Sequence, residues 1–266
     1  MIPKIINYCW FGSKQVSESA QKCIDSWKKF CPDYQIIRWD ESNIDIDSVR
    51  YMKECYKKNA WGFVPDVARL QIIYNHGGIY LDTDVELIKS LDPLLKNEAF
   101  IGFENQKMVN LGLGFGAEKG NIVIKKLLDD YNNLHFINDD GSLNRVASPA
   151  IQTKSLKELG LKSNGQKQVI KGLTVYPSEF FTGIDFNTGL STKTEKTFSI
   201  HHYDGSWLSP EEKRIDELRR KCFKKFGLRF GKIVWLSKQI QIKANKDGYK
   251  SAIEFVTGKI FRHEKG

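Results

Sequence analysis

The chain has 266 residues, of which 27% are charged and 41% hydrophobic, a composition typical of globular proteins and unlike that of disordered or collagen-like chains. This length admits one large α/β core with a smaller appendage. The net charge is +9, and residues 211–266 hold 16 of the 41 basic but only 7 of the 32 acidic residues, which leaves 25 of each elsewhere. The excess positive charge therefore lies in the C-terminal tail.

The five cysteines are odd in number and contain no Cys-x-x-Cys pair, which argues against a disulfide framework and against a structural zinc site. They are Cys9, Cys23, Cys31, Cys55 and Cys222. The first residues lack the order of a secretory signal, and no stretch approaches the roughly 18 apolar residues of a membrane span. We therefore expect a cytoplasmic protein that touches a membrane, if at all, from one side.

Apolar runs in the first half predict a strand over residues 4–11, a helix around 20–27 and a strand over 34–39, an order that favours a parallel sheet. A second helix is expected over about 48–58. A third begins near Pro65 and stops at Gly77-Gly78, because proline suits the first helical turn and glycine suits the residue after the last. The run Ile79-Tyr80-Leu81 is too short for a helix and predicts a strand.

The second half predicts strands near 100–103 and 111–115, a helix over 122–131, and shorter elements around 169–176 and 197–202. From about residue 209 the apolar residues recur at helical spacing among many lysines and arginines, which indicates two basic amphipathic helices. We therefore predict two domains, at residues 1–208 and 209–266.

Asp82 and Asp84 follow the predicted strand directly, so both carboxylates are expected at the carboxyl edge of the sheet, where open α/β folds bind ligands. The spacing alone is weak evidence, since Asp45 and Asp47 repeat it within a polar stretch. Two neighbouring carboxylates raise each other's pKa, and a hard divalent cation such as Mg²⁺ or Mn²⁺ relieves that conflict. The alternative is a pair of solvated acids at a strand end.

Asp66 and Arg69 are three residues apart and share a face of the third predicted helix. They form either a surface ion pair, which contributes about 0–1 kcal/mol, or a donor and acceptor pair that holds sugar hydroxyl groups. The spacing leaves both interpretations open.

Four segments together resemble glycosyltransferase family 32, whose members include capsular-polysaccharide and yeast-mannosyltransferase-like enzymes and whose distant relatives are glucosylating toxins. These segments are residues 2–12 (IPKIINYCWFG), 65–69 (PDVAR), 77–84 (GGIYLDTD) and 201–207 (HHYDGSW). The resemblance implies a GT-A fold, a Rossmann-like mixed sheet flanked by helices, over the first domain. It also implies transfer of a hexose, with retention of configuration, from a nucleotide-diphosphate sugar to a glycan acceptor.

The same resemblance implies roles for the donor-binding residues. Trp10 would stack on the base of the donor, Asp66 and Arg69 would hold its sugar, and Asp82 would bind ribose or the metal through water. Asp84 would bind Mn²⁺ or Mg²⁺ directly.

The segment 201–207 resembles the family's closing loop. His201, His202 and Asp204 compete for the remaining metal position, with His202 preferred, and Ser206 and Trp207 would reach the diphosphate and close over it. Ser148 stands where the family usually has glycine, which puts an acceptor role for the segment 148–150 in doubt.

The donor implied is a UDP-sugar, with a GDP-sugar as the alternative, and the acceptor a glycan or lipid-linked oligosaccharide of bacterial surface or capsular polysaccharide synthesis. The basic tail would either lie on an anionic membrane surface, making the enzyme peripheral on the inner face of the cell membrane, or pack on the core.

Two other functions are compatible with parts of this sequence. A haloacid-dehalogenase-type phosphatase also uses Asp-x-Asp after an apolar strand, but its motif usually lies near the amino terminus. A basic nucleic-acid-binding module would use the tail, but residues 1–210 carry balanced charge and contain no recognised nucleic-acid motif. We therefore expect no nucleic-acid partner.

Overall fold

The computed structural model describes the backbone of residues 1–12 and 14–263, and side-chain burial up to residue 244. Residues 264–266, the end of the predicted tail, lie outside the described residues. The described chain forms two compact units, one of residues 1–184 and 192–207 and one of residues 185–191 and 208–266.

The first unit is built on an eight-stranded mixed sheet with the order β2-β1-β3-β7-β5-β9-β8, in which β6 pairs with β5. A separate two-stranded sheet joins β10 to β4. The strands are β1 Ile5–Cys9, β2 Gln35–Trp39, β3 Gly78–Tyr80, β4 Val85–Leu87, β5 Ala99–Phe103, β6 Val109–Asn110, β7 Phe115–Ala117, β8 Gln168–Ile170, β9 Leu173–Tyr176 and β10 Ser199–His201.

The first unit also contains five α-helices, and the second contains the sixth. They are α1 Glu18–Phe30, α2 Arg50–Lys57, α3 Val64–His76, α4 Ile122–Asp129, α5 Ser148–Glu158 and α6 Pro210–His263. The predicted α/β class, with a Rossmann-like mixed sheet between helices and a helical C-terminal region, is confirmed.

Strand directions place the ends of several strands at one edge of the sheet. β2, β1 and β3 are mutually parallel, and β7 runs antiparallel to both β3 and β5. β5 therefore points the same way as β3, and β9 is parallel to β5. The carboxyl ends of β1, β3 and β5 consequently meet at the same edge.

Alternating side chains divide the core between the two faces of the sheet. Ile79 and Leu81 pack in one hydrophobic cluster with Trp27 of α1, whereas Tyr80 packs in the other with Val67 of α3. Successive residues of a strand point to opposite faces, so a buried three-residue strand supplies both clusters. All five cysteines are buried and unpaired, as the sequence predicted.

One predicted strand, over residues 111–115, is wrong. Leu111–Leu113 forms a 3-10 helix, and the strand β7 begins only at Phe115. The side-chain oxygen of Asn110 accepts a hydrogen bond from the Gly112 N–H at 2.7 Å, and Gly114 has φ +114°, so the backbone turns where the apolar pattern suggested extension. The helix α5 was also missed, because its apolar residues are few.

The helix α6 of the second unit, Pro210–His263, folds back at Gly227. Gly227 has φ +68°, and a Cβ on Gly231 would lie 2.9 Å from the Cα of Phe223. Eight residues of straight helix rise about 12 Å, so this proximity requires the chain to fold back. The sequence predicted two helical segments here, and the chain turns back between them at Gly227.

Candidate active site

The acid pair follows β3 because glycine allows this strand to pair closely with β1. Gly78 has φ +98°, and a Cβ there would lie 2.8 Å from the carbonyl oxygen of Ile5. After Tyr80 the chain leaves the sheet, and the Val85 N–H closes a turn by donating to the Asp82 carbonyl at 3.0 Å. Asp82 and Asp84 lie on this turn, with side chains 26% and 17% exposed.

His201 is brought to the acids by the small sheet. β10 pairs antiparallel with β4, and in this register His201 lies opposite Val85, next to the acid turn. The His201 Nε2 is 3.1 Å from Asp84 Oδ1. One potential ligand atom from each of Asp82, Asp84 and His201 lies within 4.8 Å of the others, so the three side chains form a compact donor group.

The electrostatics of this group separate the two acids. Burial acts to raise the pKa of Asp84, but His201 and the Asp204 N–H, which donates to Asp84 Oδ2 at 2.9 Å, lower it to about 2. Burial raises the pKa of Asp82, and the charge of Asp84 adds to this while Arg69 opposes it. The pKa of His201 is raised by Asp84 and Asp82 in spite of burial. A cation between these groups would favour ionised Asp82 and neutral His201.

The donor set fits a divalent metal ion. Two carboxylates and one imidazole offer the oxygen and nitrogen ligands that Mn²⁺ accepts, while a histidine ligand suits Mg²⁺ less well. Among the described residues, His201 Nδ1 is buried without a hydrogen-bond partner. The carboxylates are partly exposed, which leaves positions for water or for a phosphate oxygen.

Asp66 and Arg69 form a buried pair and not the surface pair that their spacing also allowed. Their side chains are 8% and 5% exposed, and Arg69 Nη2 donates to Asp66 Oδ1 at 3.1 Å. Arg69 Nη1 reaches Asp82 Oδ2 at 3.3 Å, its Nε donates to the Pro65 carbonyl at 2.9 Å, and the guanidinium lies over the ring of Tyr80. Arg69 therefore connects the start of α3 to the acid pair.

The buried Asp66 carboxyl can exchange a proton near neutral pH. Burial raises the pKa of Asp66 to about 6, against the lowering effects of the Arg69 guanidinium and the Ser148 hydroxyl. Ser148 begins α5, so that helix also borders the pair. Perturbed carboxyls in such clusters are common where a protein binds ligands or performs chemistry.

Three neighbours of the acid pair were missed by the sequence analysis. A Cβ on Gly112 would lie 2.4 Å from Asp82 Oδ2 and 3.3 Å from Arg69 Nη1, so only glycine leaves room for this approach. Asn110 donates from Nδ2 to Glu104 Oε1 at 2.8 Å. Glu104 follows β5 at the same sheet edge; burial raises its pKa, while Asn110 and the nearby His201 oppose that rise. No sequence motif identifies Gly112, Asn110 or Glu104. For Glu104, the available signal is its position directly after β5, at the sheet edge where β3 also ends.

The side chains of His202 and Asp204, the other candidates for the metal position, contact residues outside the group of Asp82, Asp84 and His201. His202 Nε2 is 3.0 Å from Glu86 Oε2, and its backbone N–H donates to the Asp84 carbonyl at 2.9 Å. Asp204 contacts Asp84 through its backbone N–H, and its carboxylate accepts from Ser19 at 3.4 Å. The structure thus brings His201, and not the preferred His202, into the donor group with the two acids.

The remaining predicted residues lie around this edge. Trp10 follows β1 and is half-buried, and its indole N–H donates to the Lys14 carbonyl at 2.8 Å. Ser206 is exposed, and Trp207 is 42% exposed. The Trp207 carbonyl accepts from Arg145 at 2.5 Å, and its backbone lies so near Gly62 that a Cβ there would be 2.9 Å from the Trp207 nitrogen.

Part of this chain is similar to a known protein family and to proteins of known structure. Residues 17–101 match a family model described as "Glycosyltransferase sugar-binding region containing DXD motif". This range contains Asp66, Arg69, Asp82 and Asp84, whereas His201 lies beyond it. Two structures are similar in part: PaToxG glycosyltransferase (TM-score 0.47, 22% identity, 59% of this chain and 69% of that one) and a glycosyltransferase involved in glycosylation of the major capsid of PBCV-1 (0.43, 13%, 81% and 98%).

Similar sequences include three yeast proteins. Inositol phosphoceramide mannosyltransferases 3 and 1 of Schizosaccharomyces pombe are 37% identical over 108 residues and 30% identical over 115 residues. Mannosyl phosphorylinositol ceramide synthase CSH1 of Saccharomyces cerevisiae is 32% identical over 108 residues. Each match covers 38% of this chain, and 29%, 33% and 28% of the respective relative. The chain thus matches about a third of the length of these proteins.

Proposed function

We propose that this chain, whose residues 17–101 carry the sugar-binding region of a DXD-containing glycosyltransferase family, transfers a hexose from a nucleotide-diphosphate sugar to a hydroxyl group of an acceptor. The observation that supports it most is the donor group of Asp82, Asp84 and His201, all with ligand atoms within 4.8 Å, beside the buried Arg69–Asp66 pair. Membership of family 32, inferred from the motifs, is consistent with these matches.

In this proposal Asp84 and His201 hold Mn²⁺, and Asp82 binds either the metal or the donor ribose. Asp84 is the stronger metal ligand because its pKa is low and it stays ionised at neutral pH. A divalent ion bound there supplies positive charge against the diphosphate leaving group.

Arg69 and Asp66 are proposed to position the donor sugar. The Arg69 guanidinium donates hydrogen bonds to Asp66, Asp82 and the Pro65 carbonyl, which hold it in place at the edge of the sheet. Fixed donors stabilise developing charge without the cost of reorganising during the reaction. The Asp66 carboxylate, once ionised, accepts hydrogen bonds from sugar hydroxyls.

Trp10 and the segment of Ser206 and Trp207 complete the proposed donor site. Trp10 follows β1 at the edge shared with the acid pair, and stacking of an aromatic ring on a base contributes about 1–3 kcal/mol in other settings. Closure of Trp207 over the donor would exclude water, which otherwise turns transfer into hydrolysis. We expect Trp207→Ala to reduce transfer more than donor binding.

The donor is proposed to be a UDP-hexose or a GDP-hexose, and a mannosyl donor is included because two of the yeast relatives are named mannosyltransferases. The acceptor is proposed to be a glycan or a lipid-linked glycan. A role in bacterial surface polysaccharide synthesis, a cytoplasmic location and retention of configuration stay predictions.

Thermal unfolding in the presence of nucleotide sugars tests the proposal. UDP- and GDP-hexoses are added with Mn²⁺, with Mg²⁺ and with EDTA, and the midpoint of unfolding is compared. A ligand at a hundred times its Kd stabilises the folded state by about 2.7 kcal/mol, so a metal-dependent rise is expected for at least one donor. Absence of any such rise, or phosphatase activity without sugar transfer, would contradict the proposal.

A further inference from the structure

The turn of the helical tail carries an exposed apolar and basic surface, which we call the tail tip and define as residues 224–233. Phe226, Leu228, Phe230 and Ile233 are 42%, 63%, 70% and 65% exposed. Every residue from 224 to 230 is exposed, and a Cβ on Gly227 would meet no described atom within 4 Å other than those of its chain neighbours and of the adjacent helix backbone. The tip is therefore open to solvent although four of its side chains are large and apolar.

The charge around the tip has a single sign. The tip itself contains Lys224, Lys225, Arg229 and Lys232, and residues 218–246 hold ten Lys and Arg and no Asp or Glu. Large apolar side chains are normally scattered singly over a surface, so four within ten residues, surrounded by cations, indicate a binding surface.

The backbone explains why these side chains stay exposed. Gly227 adopts a left-handed conformation at the turn, and Gly231 lets the returning segment approach Phe223 so closely that a Cβ would meet its Cα at 2.9 Å. Phe226, Leu228 and Phe230 lie next to this turn and are exposed, whereas the close contact between the two segments is made by Gly231 and Phe223.

We propose that the tail tip attaches to an anionic lipid surface by inserting Phe226, Leu228 and Phe230 among the acyl chains while its lysines and arginines bind lipid phosphate groups. Interfacial segments of this kind combine apolar side chains with cations, and their affinity depends on both. Two observations favour lipid over nucleic acid. Leu228 and Ile233 offer no aromatic face for a base to stack on, and the apolar residues converge at one turn instead of following a groove.

The test measures sedimentation of the 266-residue chain with vesicles of phosphatidylcholine containing phosphatidylglycerol, and with vesicles of phosphatidylcholine alone. The protein is expected to sediment with the anionic vesicles only, and less so as salt is added. Each basic residue contributes about 1 kcal/mol, which is about fivefold in partitioning, so Lys224→Glu with Lys225→Glu should weaken binding at least about thirtyfold. Lys57→Glu with Lys58→Glu, also exposed, is the matched control and should leave binding unchanged.

A second pair of variants tests insertion separately from charge. Phe226→Ser, Leu228→Ser and Phe230→Ser together should weaken anionic-vesicle binding at least about tenfold. Ile122→Ser with Val169→Ser, which removes side chains 71% and 65% exposed in the first unit, should not weaken it. Circular dichroism and thermal unfolding establish that each variant is folded.

Three outcomes would overturn the inference. They are equal sedimentation of the tip variants and their controls, binding that depends on the lysines but not on the apolar side chains, and tight salt-sensitive binding of single-stranded RNA without vesicle binding. None of these outcomes bears on sugar transfer, which is measured separately with soluble donors.

Discussion

Two segments of this chain have the same Asp-x-Asp spacing but opposite surroundings. Asp45 and Asp47 are exposed; Asp45 caps a 3-10 helix by accepting from the Asp47 N–H at 3.0 Å, and Asp47 pairs with Lys53 at 3.3 Å. The partners of these two carboxylates are a backbone N–H and the Lys53 ammonium group.

Asp82 and Asp84 instead lie at a sheet edge among buried partners, with their charges facing His201 and Arg69. The spacing of two acids therefore carries little information by itself. What matters is the buried strand that delivers them and the groups that other strands bring to the same place.

The sharpest test of this comparison is Asp84→Asn against Asp47→Asn. Loss of the low-pKa ligand should remove several kcal/mol of metal-assisted stabilisation, which corresponds to about 10²–10³-fold in the rate of sugar transfer. Steady-state kinetics at saturating Mn²⁺ measure the effect, and Asp47→Asn should match the unaltered protein. Similar rates for both variants would contradict the assignment of the site.

Removal of the buried Arg69 guanidinium should have a large effect on the free energy of unfolding. Arg69→Ala leaves Asp66 buried without its partner, which typically costs about 3–5 kcal/mol. Lys53→Ala, which removes the exposed partner of Asp47, should cost no more than about 1 kcal/mol. Urea unfolding followed by circular dichroism compares the two, and equal losses would mean that the Arg69–Asp66 pair is not buried in solution.

The two neighbouring histidines provide a finer comparison. His201→Gln should lower the affinity for Mn²⁺ about tenfold or more, measured by Mn²⁺-dependent thermal stabilisation. His202→Gln, whose ring contacts Glu86 and lies outside the donor group, should change that affinity little. The pKa of His201 is raised, so its imidazole must lose a proton before it binds metal. The affinity for Mn²⁺ should therefore fall as the pH is lowered through the raised pKa of His201. The reverse ranking of the two variants would restore His202 as the ligand.

The last comparison concerns the space around Asp82. Gly112→Ala places a methyl group against the Asp82 carboxylate, and overpacking of this kind costs about 1–3 kcal/mol. In an Asp82→Ala background the same change should cost less, because the clashing oxygen is gone. Equal costs in both backgrounds, measured by thermal unfolding, would show that Gly112 does not limit the approach of Asp82.

Much of the candidate site could be located from the sequence, because its parts lie within single elements. The buried strand, the glycines before it and the acids after it are adjacent along the chain, and Asp66 and Arg69 are one helical turn apart. The family resemblance added expected roles to these same residues. The choice between His201 and His202 could not be predicted, because adjacent strand residues face opposite sides and only the register of β10 on β4 decides which one meets the acids.

By itself the sequence determined the α/β class, the short strand before Asp82, the buried cysteines and the basic tail, since each depends on local periodicity or composition. The tertiary structure decided that Asp82 and Asp84 differ from Asp45 and Asp47 by facing His201 and Arg69. It also brought Gly112 and Glu104 to the acids and turned the tail back at Gly227. These features depend on strand order, register and close backbone approach. Such contacts join residues far apart in the chain, so no short segment of the sequence predicts them.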